Sequence, residues 1–104
     1  MGDEIITKPI DTDQAIALND SNWWADMIAK DVVKFQLFIG ELSMPFDIFH
    51  TLTETVLGRP IYPYEFGPNG RLQQEFLDLF SEPIPSFDEL VLLLPDDKKD
   101  PLKE

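Results

Sequence analysis

Cysteine is absent from the sequence, and histidine occurs once, at position 50. Without thiolates the chain forms no disulfide bond, iron–sulfur cluster or cysteine-ligated zinc site, and it has no cysteine nucleophile. Zinc and iron sites normally need three or four converging ligands, so one histidine leaves them short of donors. We therefore expect neither a metal site nor a cofactor.

Basic residues are also scarce: 8 Lys and Arg stand against 20 Asp and Glu, which gives a formal charge of −12. Nucleic-acid phosphates and anionic lipid surfaces repel such a chain. No apolar run approaches the ~20 residues that span a bilayer, and the first charged residues, Asp3 and Glu4, are acidic where a signal peptide would be basic. We expect a cytoplasmic protein that contacts neither nucleic acid nor a membrane directly.

Apolar residues are frequent enough for one core, since 43% of the chain is hydrophobic and 12% aromatic. The length of 104 residues fits one domain, because domains commonly have about 100–150 residues. The patterning predicts a flexible N-terminal arm over 1–10, a single helical domain over 11–95 and a flexible, charged tail over 96–104.

Helix signals recur along the domain. Asp11 and Ser86 are each followed three residues later by Gln or Glu, which is the capping-box pattern. Pro45 suits a helix start and Gly58 a helix end. Helices are predicted from Asp11, near Trp23, over 31–42, from Pro45 to Gly58, from Arg71 and over 87–94.

The run over 31–42 has two interpretations. Val32, Phe35, Ile39 and Leu42 recur at helical spacing, but the β-branched and aromatic content also suits a buried strand. Its length favours a helix, because strands usually have about 5–6 residues. The predicted fold is all-α, a bundle of four to five short helices with a proline- and aromatic-rich connecting loop.

Catalytic patterns are missing. His50 and Glu54 are four residues apart on a predicted helix and could share a metal or a proton, but one such pair is common on helices. The sequence has neither a Ser-His-Asp arrangement nor a phosphate-binding glycine loop. We predict a protein that is not an enzyme, with a carboxylate–histidine metalloenzyme as the poorer alternative.

Acidic residues dominate the centre of the chain: from Phe35 to Asp97 there are eleven, against Arg59 and Arg71 alone. Carboxylates three or four residues apart on a helix lie about 5–6 Å apart, comparable with the spacing of phosphates. Two interpretations stay open, a surface charged for solubility and a surface that attracts a basic partner by mimicking nucleic acid. The candidate contact acids are Glu65, Glu75, Asp78 and Glu82.

Aromatic residues form the second candidate feature. Trp23 and Trp24 point about 100° apart on a helix, so we expect one in the core and the other at its rim. Tyr62, Tyr64 and Phe66 flank a proline and are candidate rigid anchors, since aromatic side chains dominate binding hot spots. A loop that merely seals the core is the alternative.

Several short motifs carry a family resemblance: Leu42-Ser43-Met44-Pro45-Phe46, Phe49-His50, Leu57-Gly58-Arg59-Pro60 and Glu65-Phe66-Gly67. Over about residues 13–99 the chain resembles a family of small proteins encoded in bacteriophages and prophages. It departs from that pattern at Ser43, where cysteine is usual, and at Pro63-Tyr64, where Thr-His is usual. No thiol or histidine role is therefore carried over. The resemblance implies a phage accessory protein, a class that includes inhibitors of host defence and host machinery.

These features together predict a non-enzymatic binding protein in the host cytoplasm. It would be a phage-encoded, anti-defence type of inhibitor that occupies the basic surface of a host protein or nucleoprotein complex. The alternative is a phage structural or assembly component that forms homo-oligomers through the aromatic loop.

Overall fold

The structure, a computed structural model, describes residues 10–67 and 70–102. Over these residues it contains α-helices and short 3-10 turns and no strand. The helices are α1 (Thr12–Ser21), α2 (Ala29–Ile39), α3 (Phe46–Leu57), α4 (Arg71–Phe80) and α5 (Phe87–Leu93). The predicted all-α bundle is confirmed.

The predicted helix boundaries have the expected side-chain caps. The Asp11 carboxylate accepts from the Gln14 N–H at 2.8 Å, and the Asp11 N–H donates back to Gln14 Oε1 at 2.9 Å. Ser86 and Glu89 make the same reciprocal pair at the start of α5. Gly58 closes α3 at φ +75°, a conformation that glycine adopts without steric cost.

Helix α2 lies at the centre and packs on α3, α4 and α5. The ambiguous run over 31–42 is helical as far as Ile39. A helix surrounded by other helices needs apolar side chains on most of its faces, which explains the nearly continuous hydrophobic pattern. Its buried residues are Val32, Val33, Phe35, Gln36, Leu37, Phe38 and Ile39.

The end of α2 comes three residues before Leu42, the predicted limit. Gly40 lies at φ +93°, and the Gln36 side chain binds the chain that follows. Its Oε1 accepts from the Ser43 N–H at 2.9 Å and its Nε2 donates to the Glu41 carbonyl at 2.8 Å. The Gln36 side chain thus pairs two backbone groups that follow the end of α2, where no helical hydrogen bond is available to them.

The predicted helix near Trp23 is only a 3-10 turn, Trp23–Asp26, and α2 starts separately at Ala29. The Trp23 indole is fully buried and its Nε1–H donates to the Ser43 carbonyl at 3.0 Å. The buried Trp23 ring therefore anchors a short turn at the place where the sequence predicted a helix.

The flexible tail predicted from residue 96 packs against α1 through some of its residues, whereas Asp96, Asp97 and Asp100 are exposed. Leu102 is buried, and Lys98 Nζ donates to the Ser21 carbonyl at 2.7 Å. Gln14 Nε2 donates to the Pro101 carbonyl at 3.3 Å. Ile10, the last residue of the predicted arm, is also buried. The predicted arm over 1–9 and the last two residues of the tail lie outside the described residues.

Candidate partner-binding site

The segment over 59–67 connects α3 to the approach of α4 and contains the 3-10 turn Pro63–Phe66. Arg59, at its start, holds this segment against α4. Its Nε and Nη2 donate to the two carboxylate oxygens of Glu75, each at 2.9 Å, and Nη2 also donates to Glu65 at 2.7 Å. These bonds lower the pKa of Glu65 and Glu75 and raise that of Arg59. Both carboxylates are therefore ionised and engaged at neutral pH.

Helix α3 fixes the same segment through Ile61. The Glu54 carboxylate accepts from the Ile61 N–H at 2.8 Å, and His50 Nε2 contacts the Ile61 carbonyl. Since a carbonyl only accepts, that histidine nitrogen carries the proton, and it lies 3.3 Å from Glu54. His50 and Glu54, which could have shared a metal, instead contact the backbone of Ile61. Among residues 10–67 and 70–102, no group of three or more potential metal ligands is found.

Tyr62 and Tyr64 extend outward from this fixed backbone. Their side chains are 63% and 78% exposed, and their rings lie parallel at 7° with centroids 5.7 Å apart. Glu65 accepts from the Tyr62 N–H at 2.9 Å, and its own N–H donates to the Tyr62 carbonyl at 2.9 Å. We call this pair of rings the tyrosine platform. It is held by its backbone and stacking rather than by burial.

Phe66 turns the other way and is half-buried. Its ring centroid lies 5.1 Å from those of Phe46 and Phe49 and 5.4 Å from that of His50. Two of the three aromatic anchors predicted for this loop therefore face solvent, and the third seals the core. Phe66 fits the core-sealing alternative, and for Tyr62 and Tyr64 the anchor role stays a prediction.

A cleft of about 320 Å³ opens beside Phe66, between α2, α3 and the start of α4. Phe49, Phe66 and Leu72 contribute to its apolar walls, and Leu42 and Phe46 are exposed at its edge by 51% and 36%. The acidic residues of its lining are Glu41 and Glu65, and no Lys, Arg or His is among the lining residues that the structure describes. We call it the aromatic cleft.

Most of the predicted contact acids are engaged by cations of the same chain. Glu65 and Glu75 pair with Arg59, as described above. Glu82 accepts from both Lys30 and Lys34 at 2.8 Å, and these bonds lower its pKa. Asp78 is exposed, and within the described ranges its carboxylate accepts from the neutral Gln74 amide at 3.0 Å. Of the four candidate contact acids, only Asp78 is without an ion pair to Lys or Arg among the described residues.

Other acids, which the sequence reasoning did not single out, carry the uncompensated charge. Within the described ranges, exposed aspartates without a side-chain hydrogen bond or ion pair are Asp13, Asp20, Asp26, Asp47, Asp88 and Asp97. Apart from Asp26, which has Lys30 four residues away, none of them has a Lys or Arg three or four residues away. The absence of a nearby cation in the sequence does not identify an unpaired acid, however. Glu82 lacks one too, yet it binds two lysines that lie 48 and 52 positions away.

The tryptophans are not an exposed pair. Trp23, a predicted anchor, is fully buried, so the fold as it stands keeps it from any partner. Trp24 is half-buried and packs edge-on against Trp23 with centroids 6.0 Å apart. The expectation of one indole in the core and one at its rim is met. Of the two tryptophans, only Trp24 has solvent-accessible surface that a partner could contact.

Within the described ranges, none of the helices combines the length and the apolar character needed to cross a bilayer. A scan against protein-family models and searches of curated proteins and of solved structures find no match. The resemblance to phage-encoded proteins stays a prediction.

Proposed function

We propose that this protein is a non-enzymatic acidic binding protein that docks on the basic surface of a host protein or nucleoprotein complex. The tyrosine platform supplies its central contact. The observation that carries the proposal is the exposure of these two parallel rings on a backbone that Arg59, Glu54 and His50 hold in place. Exposed aromatic rings on a fixed backbone lose little conformational entropy when they bind.

The distribution of ion pairs supports a basic partner. Each Lys and Arg of the described residues has a partner within the chain: Lys30, Lys34, Arg59, Arg71, Lys98 and Lys99. The six exposed aspartates named above have no such partner among the described residues, so their negative charge faces solvent. A field of one sign steers a partner of opposite sign and accelerates association.

Self-association through the tyrosine platform is disfavoured by the same charge. Two copies would bring two bodies of formal charge −12 together, and like charges facing one another across an interface oppose binding. The negative potential of the protein attracts a basic partner and repels a second copy of the chain. We therefore favour the binding role over the assembly role.

The resemblance to phage-encoded proteins supports a host partner and an inhibitory role. A basic surface covered by this protein cannot bind its own anionic ligand at the same time. If the partner handles nucleic acid, added protein should release that nucleic acid in proportion to the occupancy of the surface.

Affinity capture from bacterial lysate tests the proposal with three baits: the wild type, a Tyr62→Ser/Tyr64→Ser double variant and Leu92→Ser. Leu92 is the matched control, since it is an apolar residue 72% exposed on α5. We expect a basic protein retained by the wild type and the control and lost from the double variant. Equal retention by all three baits contradicts the proposal. A dimer seen by light scattering and dispersed by the double variant supports the assembly role instead.

A further inference from the structure

The aromatic cleft has a chemistry that the proposed function does not use. Its lining includes three phenylalanines, Phe46, Phe49 and Phe66, and two acidic residues, Glu41 and Glu65. The Glu65 carboxylate is engaged by Arg59, whereas within the described residues the Glu41 carboxylate accepts one long hydrogen bond, 3.3 Å from the Thr12 hydroxyl. The lining therefore combines aromatic residues with one acidic residue whose carboxylate has no cationic partner in the described chain.

We propose that the aromatic cleft receives an arginine side chain of the basic partner, with the guanidinium paired to Glu41. This inference rests on the proposed function and adds to it the side chain that the partner inserts. The aliphatic part of the arginine lies along Leu42, and its planar head lies against the ring of Phe46. Cationic side chains commonly bury their stems on apolar surface while the charged head stays near water.

Size and charge select this occupant. The volume of about 320 Å³ is at the small end of the ~300–1,000 Å³ range of ligand pockets, which suits a side chain better than an extended molecule. A purely apolar side chain would leave Glu41 without a partner. Arginine is favoured over lysine, because its planar head both stacks on aromatic rings and pairs with a carboxylate through two donors.

The cleft and the tyrosine platform belong to one surface segment. Glu65 and Phe66 line the cleft, and Tyr62 and Tyr64 precede them in the same fixed turn. A basic partner that stacks on the tyrosines therefore brings neighbouring side chains within reach of the cleft. The two contacts reinforce one another without any rearrangement of the turn.

Titration of the isotope-labelled full chain with short blocked peptides tests the inference by NMR. The peptides share one sequence of small neutral residues and carry arginine, lysine, citrulline or norleucine at the centre. Citrulline keeps the shape of arginine without its charge, and norleucine keeps only an apolar stem. We expect the arginine peptide to give saturable shifts at the amides of Leu42 and Gly67, with affinity at least about threefold above that of citrulline.

Two protein variants make the result specific to the cleft. Glu41→Gln should weaken the arginine peptide about threefold and remove its advantage over citrulline. Asp20→Asn is the matched control: it also changes the formal charge by one, at an exposed carboxylate with no ion pair on α1, and it should leave the affinity unchanged.

Several outcomes overturn the inference. These are equal binding of arginine and citrulline, equal losses in the two variants, or no shift at the cleft up to about 10 mM arginine peptide. Stronger binding of the lysine or norleucine peptide also contradicts it. None of these results bears on the lysate capture, so the cleft can fail while the basic partner and the tyrosine platform stand. Failure of the capture experiment, with arginine-specific shifts intact, would reject the proposed function instead.

Discussion

Arg59 meets Glu75 with two parallel hydrogen bonds, from Nε and Nη2 to the two carboxylate oxygens, each at 2.9 Å. Only a planar guanidinium pairs with a carboxylate in this two-pronged way. Because Nη2 also reaches Glu65 at 2.7 Å, one side chain joins the beginning of the segment over 59–67, its turn and α4. The orientation of the tyrosine platform follows from that junction.

Replacing Arg59 with lysine keeps the charge and removes the fork. We expect Arg59→Lys to lower the urea midpoint of unfolding. It should also accelerate hydrogen exchange at the Tyr62 amide, which donates a hydrogen bond to the Glu65 carboxylate. The net charge is unchanged, so a general electrostatic effect does not account for either result. An unaltered midpoint together with unaltered exchange would show that the segment is held by other contacts.

Acid should weaken the contribution of Glu82 to stability. Its hydrogen bonds from Lys30 and Lys34 hold its pKa below the ordinary 4.5. A carboxylate whose pKa is lower in the folded than in the unfolded state adds stability above the unfolded pKa and loses it as pH falls through the folded pKa. The difference in unfolding free energy between wild type and Glu82→Gln should be full at about pH 7 and shrink below about pH 4.5.

Urea unfolding of both proteins at several pH values measures this difference. Relief of repulsion among the other acids affects both proteins alike and cancels. Asp20→Asn, at an exposed carboxylate without an ion pair, serves as the control and should show no such trend. A constant difference between wild type and Glu82→Gln down to about pH 3 would mean that the two lysines do not stabilise the folded state through Glu82.

Local patterns predicted much of this fold and less of its surface. Capping boxes at Asp11 and Ser86 and the glycine at 58 act within a few residues, so the sequence reveals them directly. The pairing of Glu82 with Lys30 joins residues 52 positions apart, which no local pattern encodes. The candidate acids were therefore chosen by their spacing, and tertiary contacts decided which of them kept free charge.

The same limit applies to the aromatic residues and the chain end. Sequence chemistry placed Tyr62 and Tyr64 in a proline-containing loop, but their exposure depends on how Arg59 holds that loop. The charged residues after Pro95 resemble a solvated tail, yet Leu102 among them has an apolar surface on α1 to cover. One buried leucine outweighs the polar composition of its neighbours.

Trp23 and Trp24 should differ in their effect on stability. Trp23 is fully buried and donates a hydrogen bond to the Ser43 carbonyl, so Trp23→Ala should cost about 3–5 kcal/mol of unfolding free energy. Trp24→Ala, at a half-buried ring, should cost less than half as much. Chemical denaturation of both variants measures this, and equal losses would contradict the burial of only one indole.

Leu102→Ala tests whether the last segment belongs to the domain. Removal of a buried leucine side chain should cost about 2 kcal/mol, at the low end for such changes because the site lies near the chain end. Leu92→Ala, the same substitution at an exposed position, should stay within about 0.5 kcal/mol of wild type. If both substitutions had similarly small effects, the result would support a flexible tail over these residues instead.

The most direct test of the central claim is the salt dependence of binding to the basic protein recovered by capture, measured by calorimetry for wild type and the Tyr62→Ser/Tyr64→Ser variant. We expect the wild-type Kd to rise at least about tenfold between about 50 and 300 mM salt, because screening weakens attraction between exposed charges. The variant should bind about tenfold more weakly at either salt concentration, since hot-spot aromatics contribute through burial rather than charge. Binding that ignores both salt and the two tyrosines would contradict an acidic surface docking through the tyrosine platform.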